Sequence, residues 1–186
     1  MKRARILVSS LALSATAFVG ILSSEGYTET AVIPTKNDRP TVGFGSTFKE
    51  DGAPVKMGDR ITPVRAIQRA AAHLSREEQS FRASIPGVAL HSAEYDIYVD
   101  WIYQYGTGAW STSSMRRELL AGRYPQACKA LLLYRKSGGY DCSIPGNRIC
   151  PGVWTRQLER HRKCMEVQCF RPSTACWRPA WACCWR

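Results

Sequence analysis

Cysteine is absent from the first 127 residues; all eight lie between Cys128 and Cys184. No two of them show the two-residue gap of a zinc site, and the three histidines, His73, His91 and His161, lie far apart in the chain. Those absences argue against a metal centre, and no cofactor is expected. Acidic residues are also scarce, 15 against 26 Lys and Arg, for a formal net charge of +11. A polyanionic partner follows: nucleic acid, an anionic membrane surface or peptidoglycan with its carboxylate-bearing stems, among which charge alone does not choose. Gly43-Phe44-Gly45-Ser46-Thr47 lacks the lysine and glycine spacing of a phosphate loop and reads as a hairpin. No internal repeat is visible.

A chain of 186 residues is long enough for one domain with an appendage and a core of its own. Lys2, Arg3 and Arg5 precede an uncharged stretch from Ile6 to Leu22, the outline of an export signal. Its 17 residues sit at the lower limit for a membrane span, and Ser9, Ser10, Ser14, Thr16 and Gly20 dilute its apolar character. Two fates remain open: cleavage after Ala15-Thr16-Ala17, or an uncleaved, weakly inserted anchor that later leaves the membrane. The second is favoured, because Glu25 follows the apolar run so closely. Export by the Sec route would then place the chain at the periplasmic face of the inner membrane and afterwards in the periplasm. In such a compartment an even cysteine count favours disulfides. Cys142 and Cys150 flank the Pro145-Gly146-Asn147 turn and are candidates for a local bridge; Cys128 and Cys164 are candidates to tie two helices together.

From Gly26 to about Asp51 the chain is rich in Thr, Gly, Pro and Asp, with short β-branched runs, and reads as a hairpin lobe. Gly26 suits a helix C-cap. Thr62-Pro63 is a helix start, and Val64, Ile67, Ala71, Leu74 and Phe81 mark one apolar face. After a break at Ile85-Pro86-Gly87, Ala93, Ile97, Trp101 and Tyr105 recur every four residues, and Gly106 and Gly108 end that helix. Shorter helices follow from Ser111 to Ala121 and from Tyr124 to about Lys136. The last helix presents Trp154, Leu158, His161 and Met165 on one face. The expected fold class is α+β, a small hairpin lobe joined to a larger helical lobe with a cleft between them. The expected boundaries are an anchor over 1–24, a catalytic domain over 25–168 and a Cys/Trp/Arg-rich tail over 169–186. Trp177, Trp181 and Trp185 recur every four residues in that tail, but Pro172 and Pro179 argue against one continuous helix, and no function is assigned to it.

Ser24-Glu25-Gly26-Tyr27 followed by Pro40-Thr41-Val42-Gly43-Phe44-Gly45-Ser46-Thr47 resembles the phage-type lysozymes, glycoside hydrolase family 24. Gly58-Asp59-Arg60-Ile61-Thr62-Pro63, Tyr105-Gly106-Thr107-Gly108-Ala109 and Trp154-Thr155-Arg156-Gln157-Leu158-Glu159-Arg160 extend the likeness in the same order. The weak N-terminal anchor is similar to that of the signal-anchor-release endolysins within the family. The resemblance implies a lysozyme-like fold and a muramidase that cuts between N-acetylmuramic acid and N-acetylglucosamine. It implies Glu25 as general acid, Asp38 as second carboxylate and Thr41 as a holder of water. The acid must stay protonated while its partner is ionised; a helix C-terminus beside an apolar wall would disfavour ionised Glu25, and Arg39 would favour the Asp38 carboxylate.

The spacing departs from the family pattern. Twelve residues separate Glu25 from Asp38 and two separate Asp38 from Thr41, where the family has eight and five; counting back from Thr41 lands on Thr35. Tyr105 and Trp110 are candidates for the edge of a sugar cleft, although aromatics at helical spacing are more often core. The expected partners are peptidoglycan and, before release, the inner membrane; nucleic acid is not expected, and the protein is expected to be a monomer. A lytic transglycosylase, which needs no water-positioning carboxylate, and a non-enzymatic cationic membrane disruptor are the competing readings.

Overall fold

The computed structural model describes residues 4–34 and 38–168. The tail with its tryptophans, and Thr35, lie outside those residues. The order of elements is β1 (Ile6–Leu7), α1 (Ala15–Glu25), β2 (Thr28–Val32), β3 (Thr41–Gly43), α2 (Pro63–Ser84), β4 (Ala89–Leu90), α3 (Ser92–Ser111), α4 (Ser114–Leu120), α5 (Tyr124–Ala130), β5 (Lys136–Ser137), β6 (Tyr140–Asp141) and α6 (Pro151–Gln168). β1 pairs with β4, β2 with β3 and β5 with β6, all antiparallel. Two apolar cores result. A large one is built from α1 to α6 around Leu74, Phe81, Tyr98, Trp101 and Trp110; a small one joins Ala31, Val42, Val55, Ile61 and Ala66.

The apolar N-terminal stretch does not form one helix. Ile6 and Leu7 are a strand, Val8–Ser10 a single 3-10 turn, and α1 begins only after Ser14, whose hydroxyl caps it by accepting from Ala17 N–H at 3.1 Å. Ser14, one of the residues that dilute the stretch as a membrane span, thus sets its helix boundary. Val8, Leu11, Ile21 and Leu22 are buried. Among the described residues no helix is long and apolar enough to cross a membrane.

Thr62 caps α2 and Pro63 occupies its first turn, but the inward face is Ala66, Ala70, Leu74 and Phe81, while Val64 and Ile67 are exposed. The reason is close approach. A Cβ on Gly43 would lie 3.0 Å from the Ala66 Cβ, so only small residues fit where the hairpin crosses the first turns of α2. Apolar periodicity weighted toward large side chains selects the wrong rows there. In α3 the corrected pattern is burial nearly all round: Tyr95, Ile97, Tyr98, Val99, Trp101 and Ile102 are inside, and Ala93 is exposed. Gly106 (φ 82°) interrupts α3 rather than ending it. α6 turns Gln157, Arg160 and Cys164 inward and leaves Leu158 largely in solvent. Cys128 is bonded to Cys164, joining α5 to α6, and Cys142 is bonded to Cys150, closing the loop after β6.

Candidate active site

Glu25 is the last residue of α1, at the seam of the two cores. Ile21 belongs to the helical core, and Ala31, a few residues beyond Glu25, to the small one. Gly26 ends the helix with φ 73° and donates its N–H to Leu22 O at 3.2 Å, a positive-φ conformation that glycine adopts without steric cost. The chain then turns directly into β2. Tyr27 pins that strand by donating its hydroxyl to Ile61 O at 2.6 Å and packing its ring 5.6 Å from that of Phe44. A Cβ on Gly45 would lie 4.0 Å from Glu25 Oε2, so the turn following β3 passes over the carboxylate.

Arg156 of α6 holds the other oxygen, donating from Nη1 to Glu25 Oε1 at 3.1 Å. Its Nη2 donates to Asp100 Oδ1 of α3 at 2.5 Å, and Arg160 Nε donates to Asp100 Oδ2 at 2.6 Å. Arg160 is only 3% exposed. Its remaining donors reach Gln104 Oε1 at 2.7 Å, Gln157 Oε1 at 3.2 Å and Asp100 O at 3.0 Å. Burial opposes ionising Asp100, but the guanidiniums of Arg160 and Arg156 outweigh it and hold the carboxyl below its ordinary range. Burial likewise works against the charge of Arg156, and Asp100 and Glu25 more than offset it. Burial lowers Arg160 despite Asp100. Tyr103, also on α3, feels the Glu25 carboxylate: burial first and Glu25 second push its hydroxyl up to about 12. That hydroxyl donates to Phe44 O at 3.0 Å, linking α3 to the turn after β3.

The other candidates are distributed unevenly. Thr41 opens β3 opposite Val32, and its hydroxyl donates to Val32 O at 3.4 Å. Asp38 is exposed on the segment leading into β3, where it accepts from Arg39 N–H at 2.8 Å. Trp110 is not at a cleft edge. It is 1% exposed, donates its indole N–H to Ser84 Oγ at 2.8 Å and packs edge-on to Phe81. Tyr105 lies with its ring stacked on Trp101 at 4.6 Å; its hydroxyl donates to Tyr134 O at 3.2 Å and accepts from Gln157 Nε2 at 3.2 Å. Both are committed to packing, and the aromatic whose hydroxyl feels the Glu25 carboxylate is Tyr103. Sequence reasoning missed Arg156, Asp100 and Arg160 as a set. The stretch Trp154 to Arg160 carries two of them, but polar inward residues leave no apolar period to read.

Glu25 is thus a helix-terminal glutamate beside a hairpin, with one oxygen bonded to Arg156. The family model of phage lysozyme matches residues 22–159. This chain belongs to the phage lysozyme family. The endolysin of Salmonella phage P22 is 32% identical over 110 residues, 59% of this chain and 75% of that protein. The SAR-endolysin of Pseudomonas phage phiKMV is 28% identical over 160 residues, 86% and 89% of the two chains. The solved endolysin from Escherichia coli O157:H7 phage FAHEc1 shares the fold, with a TM-score of 0.70 at 24% identity over 84% of this chain and 95% of that one. As a phage lysozyme the protein is a peptidoglycan-degrading glycosidase.

Proposed function

We propose that Glu25 is the general acid of a muramidase cutting the β-1,4 bond between N-acetylmuramic acid and N-acetylglucosamine, with lysis of the host cell as the outcome. The observation that carries this reading is the placement of Glu25: Oε1 is held by Arg156 and Oε2 is turned toward the hairpin. Oε2 donates the proton to the glycosidic oxygen as the bond breaks. Asp38 acts as the second carboxylate across the sugar and Thr41 steadies the attacking water, the division of labour of an inverting glycosidase.

The N-terminal segment serves first as a signal-anchor and then as part of the folded enzyme. Support comes from the charged start followed by an uncharged run, from the phiKMV relative described as a SAR-endolysin, and from the burial of Val8, Leu11 and Ile21 in the helical core. An enzyme missing that segment lacks core side chains and the helix that carries Glu25.

Digestion of purified peptidoglycan by wild type, Glu25→Gln and Asp38→Asn, with the sugar ends identified by mass spectrometry, tests the catalytic assignment. Reducing muramic ends that disappear in both variants are expected. Anhydro ends with Asp38→Asn still active would make the enzyme a lytic transglycosylase, and an active Glu25→Gln would overturn the assignment of the acid.

A further inference from the structure

Arg156 does not clamp Glu25 with both arms of its guanidinium. It gives one N–H to Glu25 at 3.1 Å and the other, at 2.5 Å, to Asp100. A fork spent on a single carboxylate would hold that carboxylate firmly in its charged form. Here the fork is divided, and Asp100 takes the shorter bond. We propose that Asp100 is a positioning residue for catalysis, sharing Arg156 so that Glu25 is aligned but remains able to carry the proton it must donate.

The charge arithmetic supports this role. With Glu25 ionised, the quartet Glu25, Arg156, Asp100 and Arg160 sums to zero; with Glu25 protonated it carries one positive charge. Asp100 is held ionised by two guanidiniums, one of them on the nearly sealed Arg160. Its charge is therefore constant over the working range and tempers the Arg156 guanidinium that faces Glu25. Without it, Arg156 would turn its whole charge on Glu25, and protonating Glu25 would cost more. Removing Arg160 instead has the opposite sign, because Asp100 then draws on Arg156 alone. Tyr103 also feels the Glu25 carboxylate, but its hydroxyl is committed to Phe44 O and is neutral at working pH. Asp38, on the segment before β3, is retained in every variant below, so its contribution is common to all.

This inference rests on Glu25 being the acid, so Glu25→Gln is measured alongside and is expected to be inactive. The experiment is the pH profile of peptidoglycan hydrolysis by Asp100→Asn and Arg160→Gln, with thermal melts of each. The alkaline limb is expected to move toward acid by about one pH unit in Asp100→Asn, lowering activity at neutral pH about tenfold, and toward alkali in Arg160→Gln. Folded variants whose limbs stay in place, or move in the same direction, would overturn the role and leave Asp100 as a structural ion-pair partner. If Asp100→Asn does not fold, the direction of the Arg160→Gln shift decides. Activity in Glu25→Gln would instead remove the assignment of the acid beneath it.

Discussion

Replacing Arg5 by Met should destabilise the folded enzyme far more than an N-terminal surface change normally does. Glu94 is 0% exposed, and a buried carboxylate requires a partner. Arg5 supplies it with two hydrogen bonds, Nε to Oε2 and Nη2 to Oε1, each 3.2 Å, and stacks its guanidinium 3.7 Å from the ring centre of Tyr124. Removing one member of a buried pair costs roughly 3–5 kcal/mol. Glu94 would still accept from His91 N–H and from Gln168, and the Arg5 side chain is 28% exposed, so the lower end, about 3 kcal/mol, is the expectation. For a protein of this length that corresponds to a fall in Tm of about 6–12 °C. Thermal unfolding of wild type, Arg5→Met, Glu94→Gln and the double variant gives the coupling energy directly. The double variant should recover part of the loss, because an amide tolerates the apolar neighbour that a carboxylate does not. A fall of less than about 2 °C in Arg5→Met, or purely additive losses, would refute the idea that the N-terminal strand is docked through this charge.

Two further outcomes follow from the packing. Gly43→Ala should cost about 2 kcal/mol or more, since the residue has φ 69° and the new Cβ would meet the Ala66 Cβ at 3.0 Å; chemical denaturation read by tryptophan fluorescence measures it, and a neutral result would mean the hairpin is not pressed onto α2. Breaking the Cys128–Cys164 bridge, which closes 36 residues of sequence, should lower stability by about 3–4 kcal/mol. A Cys128→Ala/Cys164→Ala variant compared by urea unfolding under oxidising conditions is the measurement, and an unchanged midpoint would contradict it.

What could be read from the sequence is what apolar pattern and turn chemistry encode. The hairpin lobe, the Thr62 cap, the break at Ile85 to Gly87, the Gly26 cap and the assignment to phage lysozymes all stand in the structure and the comparisons. What escaped was carried by polar or small side chains in buried places. Ala66 and Ala70 pack where Val64 and Ile67 do not, because backbone proximity rather than side-chain size governs that contact. Gln157 faces inward on α6 because Tyr105 and Tyr134 O await it, and Arg160 because Asp100 and Gln104 do; Arg160 and Asp100 are 60 residues apart, a pairing that no local window contains. Trp110 reads as a sugar-binding aromatic only until the ring cluster of Phe81, Tyr98 and Trp101 is seen around it.

The same helix, α3, registers both ends of α1. At the start, Ser14 donates its N–H to Asp96 Oδ1 at 2.9 Å and its hydroxyl to Asp96 Oδ2 at 2.7 Å. At the finish, Glu25 reaches Asp100 through Arg156. The 11 residues of α1, ending in Glu25 itself, span this distance, about 16 Å at the usual rise, with Ile21 buried against the core. Further back, Leu13 N–H donates to Glu78 Oε1 at 2.8 Å and Arg82 donates to Leu11 O at 3.2 Å, so α2 holds the approach to α1 as well. The position of Glu25 is therefore set by where residues 5–14 dock, not by the short hairpin beside it. A shift of α1 by a single residue, about 1.5 Å, would break the Ser14–Asp96 bonds and carry Glu25 off Arg156 together. An N-terminal segment withheld from these carboxylates would leave Glu25 out of place even where β2 and β3 are paired.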